Sequence, residues 1–271
     1  MAQVEVSAKD VMKLRQKTGL SMMECKKALT EAGGDQDAAE ELLRKKLKGK
    51  METRTDRAAG EGRIGVAIDG DKAAIVELRA ETDFTAKNEK FVQMTQDIAK
   101  AAKDAPAGDV SLPESAAGTL DEIRITTGEN ISFARGKALQ GGKFASYIHH
   151  DGKTGVLLQA EGDVDEATMK DICMHIVAAV PTPAGVNPDD VPQDLIEKER
   201  KFRLEQAMES GKPQEIAEKM VEGGMRKFFE TVALVEQPFV KDPSTKIKDL
   251  VGSKGKLVHF ERWVVGETAQ D

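Results

Sequence analysis

The sequence predicts an α+β fold: a small N-terminal three-helix bundle, a core of two related α+β subdomains with antiparallel sheets, and an antiparallel helical hairpin inserted in the second subdomain. Three observations carry this. Residues 1–48 hold three sets of helix start and stop signals; a strand hairpin followed by a helix occurs twice further on; and Pro192 to Phe229 contains two charged helical segments with a thin apolar seam. The domain limits that follow are 1–55 for the helical domain and linker, 56–143 for the first core subdomain, and 144–271 for the second, with the hairpin at 190–230.

In the N-terminal region Ser7 and Asp10 precede Val11 and Leu14, and Thr18-Gly19 ends the segment. Ser21 with Glu24 spells a capping box for a helix whose face is Met22, Cys25, Ala28, Leu29 and Ala32, closed by Gly33-Gly34. Asp35 caps a third helix carrying Ala38, Leu42, Leu43 and Leu47. Arg44, Lys45, Lys46, Lys48, Lys50, Arg54 and Arg57 read as cations at a helix C-terminus running into a solvated linker from Gly49 to Arg63, with RNA or phosphate contact the alternative. Gly60, Gly62 and Gly65 match G-x-G-x-x-G, but a dinucleotide site needs a strand before the first glycine and a helix after the third. Here a linker precedes and the strand-like IGVAID follows, so a hairpin turning at Asp69-Gly70-Asp71 is expected.

The returning strand, Ala73 to Glu81, alternates Ala74, Val76, Leu78 and Ala80 with Ile75, Glu77, Arg79 and Glu81, which predicts one fully apolar face. From Ala86 the period becomes helical, with Phe91, Met94, Ile98 and Ala102 on one side. Thr82, Asp83, Phe84 and Thr85 form the corner between the two elements. On pattern alone two roles stay open for it. Asp83 and Phe84 are presented to a partner, or Phe84 plugs the core while Asp83 caps the helix. Beyond a polar stretch, Ile123 to Thr127 and Asn130 to Leu139 read as two strands. Then come Phe144 to His149, a turn at Asp151-Gly152, Thr154 to Ala160, and a helix from Glu166 to Ala179 burying Met169, Ile172, Cys173, Ile176 and Val180. Ile131 to Arg135 faintly echoes Val258 to Arg262, which suggests duplication. In the hairpin, Ser210-Gly211-Lys212-Pro213 makes the break, Leu195, Phe202, Ile216, Met220 and Val221 the seam, and Glu197–Lys201 and Glu199–Arg203 stand at i,i+4, with Pro181, Pro183 and Pro188 at the base.

With 271 residues and a net charge of -7, the chain can bury a large core and is matched to a protein partner rather than to nucleic acid. Two cysteines on apolar helix faces indicate buried thiols in a reducing compartment, and without a signal-peptide pattern or membrane span a cytosolic protein is expected. The four histidines lack metal-ligand spacing, and no P-loop, nucleophile elbow or zinc motif occurs; Gly252 to Lys256 is too short for a Walker A loop. His175 reads as a tolerated helix residue and His149 as a strand-end residue at a rim. Neither catalytic residues nor cofactor or metal ligands are expected.

Leu14 to Leu29, LRQKTGLSMMECKKAL, closely resembles the first signature of the bacterial elongation factor Ts family, and Glu81-Thr82-Asp83-Phe84 its second. Further matches are Tyr147-Ile148-His149 with Gly155-Val156-Leu157, the segment from Ser210 through Gly223, and Gln237-Pro238-Phe239-Val240, in family order over nearly the whole chain. The resemblance implies a guanine-nucleotide exchange factor for elongation factor Tu, the GTPase that carries aminoacyl-tRNA to the ribosome, and not an enzyme making or breaking bonds. It implies that Asp83 and Phe84, flanked by Thr82 and Thr85, intrude near the partner's magnesium site. Arg15, Met22, Met23 and Lys26 match contacts to the partner's GTPase domain, His149 a contacting histidine, and Val240 a grip on another domain. A homodimer, or a heterotetramer with the partner, stays open. Thr85 stands where valine is common and Leu20-Ser21 where Ala-Gly is frequent, and some members continue into a helical C-terminal module beyond the last strand, whose contacts are not expected here. The competing class is an adaptor whose bundle resembles ubiquitin-associated domains and which has no exchange activity.

Overall fold

The computed structural model describes residues 6–52, 57–209 and 214–267, with the backbone alone for 47–52. The bundle consists of α1 (Ala8–Thr18), α2 (Met22–Glu31) and α3 (Gln36–Glu52). Its capping follows the local chemistry: the Asp10 N–H donates to Ser7 Oγ at 3.1 Å, Ser21 and Glu24 close a capping box, and Asp35 Oδ1 accepts from the Asp37 and Ala38 N–H groups at 2.9 and 2.8 Å. Val11, Leu14, Leu20, Cys25, Ala28, Leu29, Ala39 and Leu43 make the core. On α3 the buried face is therefore Ala39 and Leu43; Ala38 is exposed, Leu42 is half-buried, and Met22 on α2 is exposed as well. The Leu47 side chain and Arg54 lie outside the described residues, as does the hairpin break Ser210 to Pro213. Helix α3 runs through Gly49, where the linker was expected to begin; one glycine costs a helix about 1 kcal/mol, too little to stop it among lysines, methionine and glutamate.

The core begins with β1 (Glu61–Asp69) and β2 (Lys72–Ala80), paired antiparallel around Gly70-Asp71, where Gly70 takes a φ of 59°. After α4 (Asp83–Lys87), α5 (Glu89–Ala102), β3 (Gly108–Asp109) and α6 (Glu114–Thr127), strand β4 (Ser132–Gln140) returns antiparallel to β2, giving the order β1-β2-β4-β3. The second half repeats the plan. β5 (Lys143–Ile148) and β6 (Thr154–Gly162) form a hairpin and α7 (Glu166–Ala178) follows; then come α8 (Gln193–Glu209), α9 (Gln214–Val232), β7 (Pro238–Phe239), β8 (Asp242–Lys246) and α10 (Ile247–Val251). Strand β9 (Gly255–Val264) closes the order β5-β6-β9. In both halves the last strand pairs with the second strand of the hairpin, and both ladders carry a bulge, at Glu77/Leu78 and Gln159/Ala160. The echoed segments fall at the start of β4 and in the middle of β9, strands that take the same place in the two sheets but do not carry the echo at the same register.

The two sheets face each other through Ile64, Val66, Ala73, Ile75, Leu139, Leu157 and Trp263, and each covers its outer face with helices. Strand β2 is consequently buried on both faces, not one: Ala74, Val76, Leu78 and Ala80 lie in the cluster that includes α5 and α6 residues, and Ala73 and Ile75 in the cluster between the sheets. Glu77, expected on a polar face, has 0% exposure. Ile123 to Thr127 is the end of α6 rather than a strand, since Ala116, Leu120 and Ile123 share one helical face and Gly128, at φ 72°, caps the helix. Gly62 and Gly65 lie inside β1, not in a strand-to-helix turn, and a Cβ on Gly65 would come within 2.9 Å of the Thr95 carbonyl oxygen on α5. Close helix-on-strand approach accounts for that glycine, and the dinucleotide geometry is not present there. Gly65→Ala is expected to cost about 1–3 kcal/mol through overpacking, read as a lowered Tm; a variant melting with the wild type would show that α5 shifts freely.

Cys25 and Cys173 are free and buried, and burial pushes the Cys173 thiol up to about 12. Val180 is exposed rather than inward, because α7 ends at Ala178, ahead of Pro181. In the hairpin helices the buried residues are Ala207, Ala217, Val221, Met225, Phe228 and Val232, with Leu195 packed partly against them; Phe202, Ile216 and Met220 are exposed. The seam is rotated away from Phe202, Ile216 and Met220. At Gly224 a Cβ would meet the Arg203 guanidinium at 2.6 Å, so the missing side chain lets Arg203 lie across α9. Arg203 pairs with Glu199 at 2.6 Å, while Lys201 stands 4.0 Å from Glu205.

Candidate partner-contact site

Strand β2 ends at Ala80 and the chain turns into α4 with Thr82 as N-cap, its hydroxyl accepting the Thr85 N–H at 3.4 Å. The 3.6-residue period of this short helix points Thr85 and Ala86 into the core, which leaves Phe84 facing outward with 83% of its surface exposed. Of the two roles left open for Phe84, the core plug is thereby overturned. Its spacing to Phe91 carries no weight, because the helical path breaks at Asn88, which caps α5 separately. The cap is Thr82 and not Asp83. Asp83 is half-exposed and accepts from Lys87 Nζ at 2.7 Å; that hydrogen bond, with the charges of Lys87 and Lys153, holds its carboxyl below the usual range. Thr85 is buried and supports the corner from beneath.

The start of the corner is clasped by the loop after α6. The Thr82 hydroxyl donates to Glu129 Oε1 at 2.7 Å and the Thr82 N–H to Glu129 Oε2 at 3.2 Å, while the Asn130 N–H donates to Glu81 Oε1 at 2.7 Å. Next to it sits the β5–β6 turn that carries His149. The Ile64 N–H donates to the Gly152 carbonyl at 2.9 Å and Lys153 Nζ lies 2.6 Å from Glu61 Oε2, the same Lys153 whose charge reaches Asp83. His149 is half-buried, with Nδ1 3.3 Å from the Tyr147 hydroxyl and its ring edge-on to His150 at 4.3 Å between centroids. The fold therefore brings Asp83, Phe84 and His149 to one end of the paired sheets. Glu129, Lys87 and Lys153 were missed in the sequence, where each is one charged residue among many.

Val240 occupies a second place, 41% exposed beyond Phe239. Its N–H donates to Nδ1 of the buried His175 at 3.2 Å, and His175 Nε2 lies 2.9 Å from Gln237 Oε1, whose amide nitrogen donates to the Pro181 and Thr231 carbonyls at 3.0 and 2.6 Å. Because Nδ1 accepts, Nε2 carries the proton and the ring is neutral. His175 is thus the anchor of the Val240 loop rather than a merely tolerated helix residue. Burial holds its pKa below the ordinary 6.5. The unfolded chain then takes up the extra proton first, so this contribution to stability is complete above about pH 6.5 and is lost as pH falls through the depressed folded value. Thermal unfolding from pH 7 to pH 5 should show Tm dropping on the acid side, with His175→Gln shallower over the same range. Parallel curves would remove His175 from the balance.

Arg15, Met22, Met23 and Lys26 stand exposed on α1 and α2, on a different element from the corner. Among the described residues no helix is long and apolar enough to cross a membrane. Exposed apolar side chains on capped, stiff supports, at the end of a two-sheet core and on an appended bundle, define a protein that works by contact with a macromolecular partner. The family model for elongation factor Ts matches residues 81–267. The chain is 44% identical over 274 residues to the elongation factor Ts of Thiobacillus denitrificans, covering 97% of this chain and 93% of the relative. It is 43% identical to that of Nitrosomonas eutropha and 40% identical to that of Idiomarina loihiensis, with 97% of this chain aligned in each and 92% and 91% of the relatives. The chain belongs to the elongation factor Ts family.

Proposed function

We propose that this protein is the guanine-nucleotide exchange factor for elongation factor Tu in translation elongation, and that the Thr82–Phe84 corner is the part that loosens the nucleotide. The observation that carries the second half is the outward ring of Phe84 on a corner whose own backbone is tied down. GDP is held by a GTPase largely through its phosphates and through a magnesium ion that demands near-octahedral geometry. A small displacement of a metal-bound water or of the surrounding loop therefore costs much of that affinity. Phe84 acts as the wedge and Asp83 perturbs the polar groups around the ion. The exposed Arg15, Met22, Met23 and Lys26, with His149 and Val240, supply the binding energy that is set against the nucleotide.

Linkage makes the effect reciprocal: the ratio by which the factor weakens GDP is the ratio by which GDP weakens the factor. No covalent bond is made or broken by the factor. Release of a fluorescent GDP from elongation factor Tu, followed by stopped flow with and without this protein, tests the function. Acceleration that saturates with factor concentration is expected; binding without acceleration would leave only the adaptor.

A further inference from the structure

We propose that Glu129 is a positioning residue for exchange, acting through Thr82 to set the angle at which Phe84 is presented; this rests on the contact role proposed above for the corner. Phe84 has little packing of its own, so the direction of its ring is set by the backbone of α4. That helix is five residues long, and so short a helix cannot hold its own geometry, since nucleation costs more than one turn returns. Its internal ties are few: a 3.4 Å contact from the Thr85 N–H to the Thr82 hydroxyl, the Ala86 N–H on the Thr82 carbonyl at 3.2 Å, and a solvent-exposed Asp83–Lys87 pair at 2.7 Å. Two external supports remain. Thr85 and Ala86 fix the inner side by burial. Glu129 fixes the outer end, with both carboxylate oxygens on the one residue that begins the turn.

The clasp is reciprocal, which makes it stiff. Glu81 takes the Asn130 N–H while Glu129 takes the hydroxyl and N–H of Thr82, so two adjacent residues on one strand end and two on the α6–β4 loop exchange hydrogen bonds. Asn130 extends the tie to the chain before β1, donating from Nδ2 to the Arg57 carbonyl at 2.7 Å. Hydrogen bonds to a charged acceptor are the stronger kind. Removing the carboxylate frees the α4 start to pivot on its buried side. The ring then meets the partner from a spread of angles, and binding energy no longer converts into strain at the nucleotide.

The test is GDP release from elongation factor Tu at increasing concentrations of Glu129→Ala, Glu129→Gln, Thr82→Val, the double variant Glu129→Ala/Thr82→Val, and Phe84→Ala. Misplacement of a positioned group by about 1 Å is enough to cost orders of magnitude in rate, and a pivot restrained on one side should lower the maximal release rate by about tenfold. The factor concentration giving half-maximal effect should stay within about twofold, because the bundle and Val240 contacts are untouched. Glu129→Gln, which keeps one acceptor, should recover part of the rate, and the double variant should be no slower than Glu129→Ala alone. If Glu129→Ala fails to fold, Glu129→Gln and Thr82→Val must show the loss while folded, and wild-type rates in both overturn the proposal. A raised half-saturating concentration with an unchanged maximum also overturns it, because it marks Glu129 as a contact. Wild-type rates in the Glu129 variants with a slow Phe84→Ala remove Glu129 and leave the wedge; wild-type rates in Phe84→Ala remove the wedge itself.

Discussion

Phe84→Ala should fold and melt as the wild type does and yet release GDP from elongation factor Tu more slowly by about thirtyfold or more. The ring is 83% exposed, so truncating it removes almost no packing, and substitutions at such positions stay within about 0.5 kcal/mol of wild-type stability. An aromatic anchor in an interface is a different matter, since truncation there commonly costs about 2 kcal/mol or more, and each 1.36 kcal/mol is tenfold in rate. The two readouts separate because the cost falls only when a partner is present. Reciprocity supplies a second check: if the wedge is gone, added GDP should antagonise factor binding less than it does in the wild type. Asp83→Asn should slow release by less, because its carboxylate already spends much of its charge on Lys87. Undiminished exchange in Phe84→Ala would refute the wedge.

Legibility in the sequence followed the range of the interactions. Ser7, Ser21 with Glu24, and Asp35 cap where expected because a cap is decided within four residues. The β1–β2 turn and the repeat of hairpin and helix were readable for the same reason. Ile123 to Thr127 misled because Ile-Arg-Ile-Thr alternates like a strand, and only Leu120 and Ala116 upstream reveal the helical face. The hairpin seam was legible in part, with Leu195 and Val221 in place, because which face of α8 meets α9 is settled across the pair, where Ala207 and Gly224 allow close approach and Phe202 and Ile216 fall outside. At the corner the resemblance singled out Asp83 and Phe84. Alternation alone left the ring's direction open, and it was decided by the break at Asn88 and the burial of Thr85. Glu129 is 47 residues from Thr82, and no local signal joins them.

Glu77 is the strongest case of a residue hidden by its surroundings, and its removal should cost as much stability as truncating a large core side chain. It sits on the central strand at 0% exposure with its carboxylate between two arginines: Arg79 on the same strand and Arg135 on β4, whose Nε is 2.6 Å away. The Gly266 N–H donates to it at 3.1 Å, Arg135 also donates to the Val264 carbonyl at 3.2 Å, and its guanidinium lies 4.5 Å from the centroid of the Trp263 ring. One carboxylate thus ties β2 and β4 of the first sheet to the end of β9 in the second. Breaking a buried pair from one side costs about 3–5 kcal/mol because a charge is left without its partner; here the arginines retain some exposure, which places Glu77→Ala near about 3 kcal/mol. Glu77→Gln keeps the shape and one acceptor and should cost about half as much. A triple variant, Glu77→Leu with Arg79→Met and Arg135→Met, removes the desolvation cost together with the attraction and should recover most of the loss. Thermal unfolding of the three variants decides between a cluster that stabilises by pairing and one that is only tolerated. A Glu77→Ala protein melting at the wild-type temperature would show that the apolar contact around Ile75, Leu157 and Trp263, with the other ties between the sheets, suffices without it.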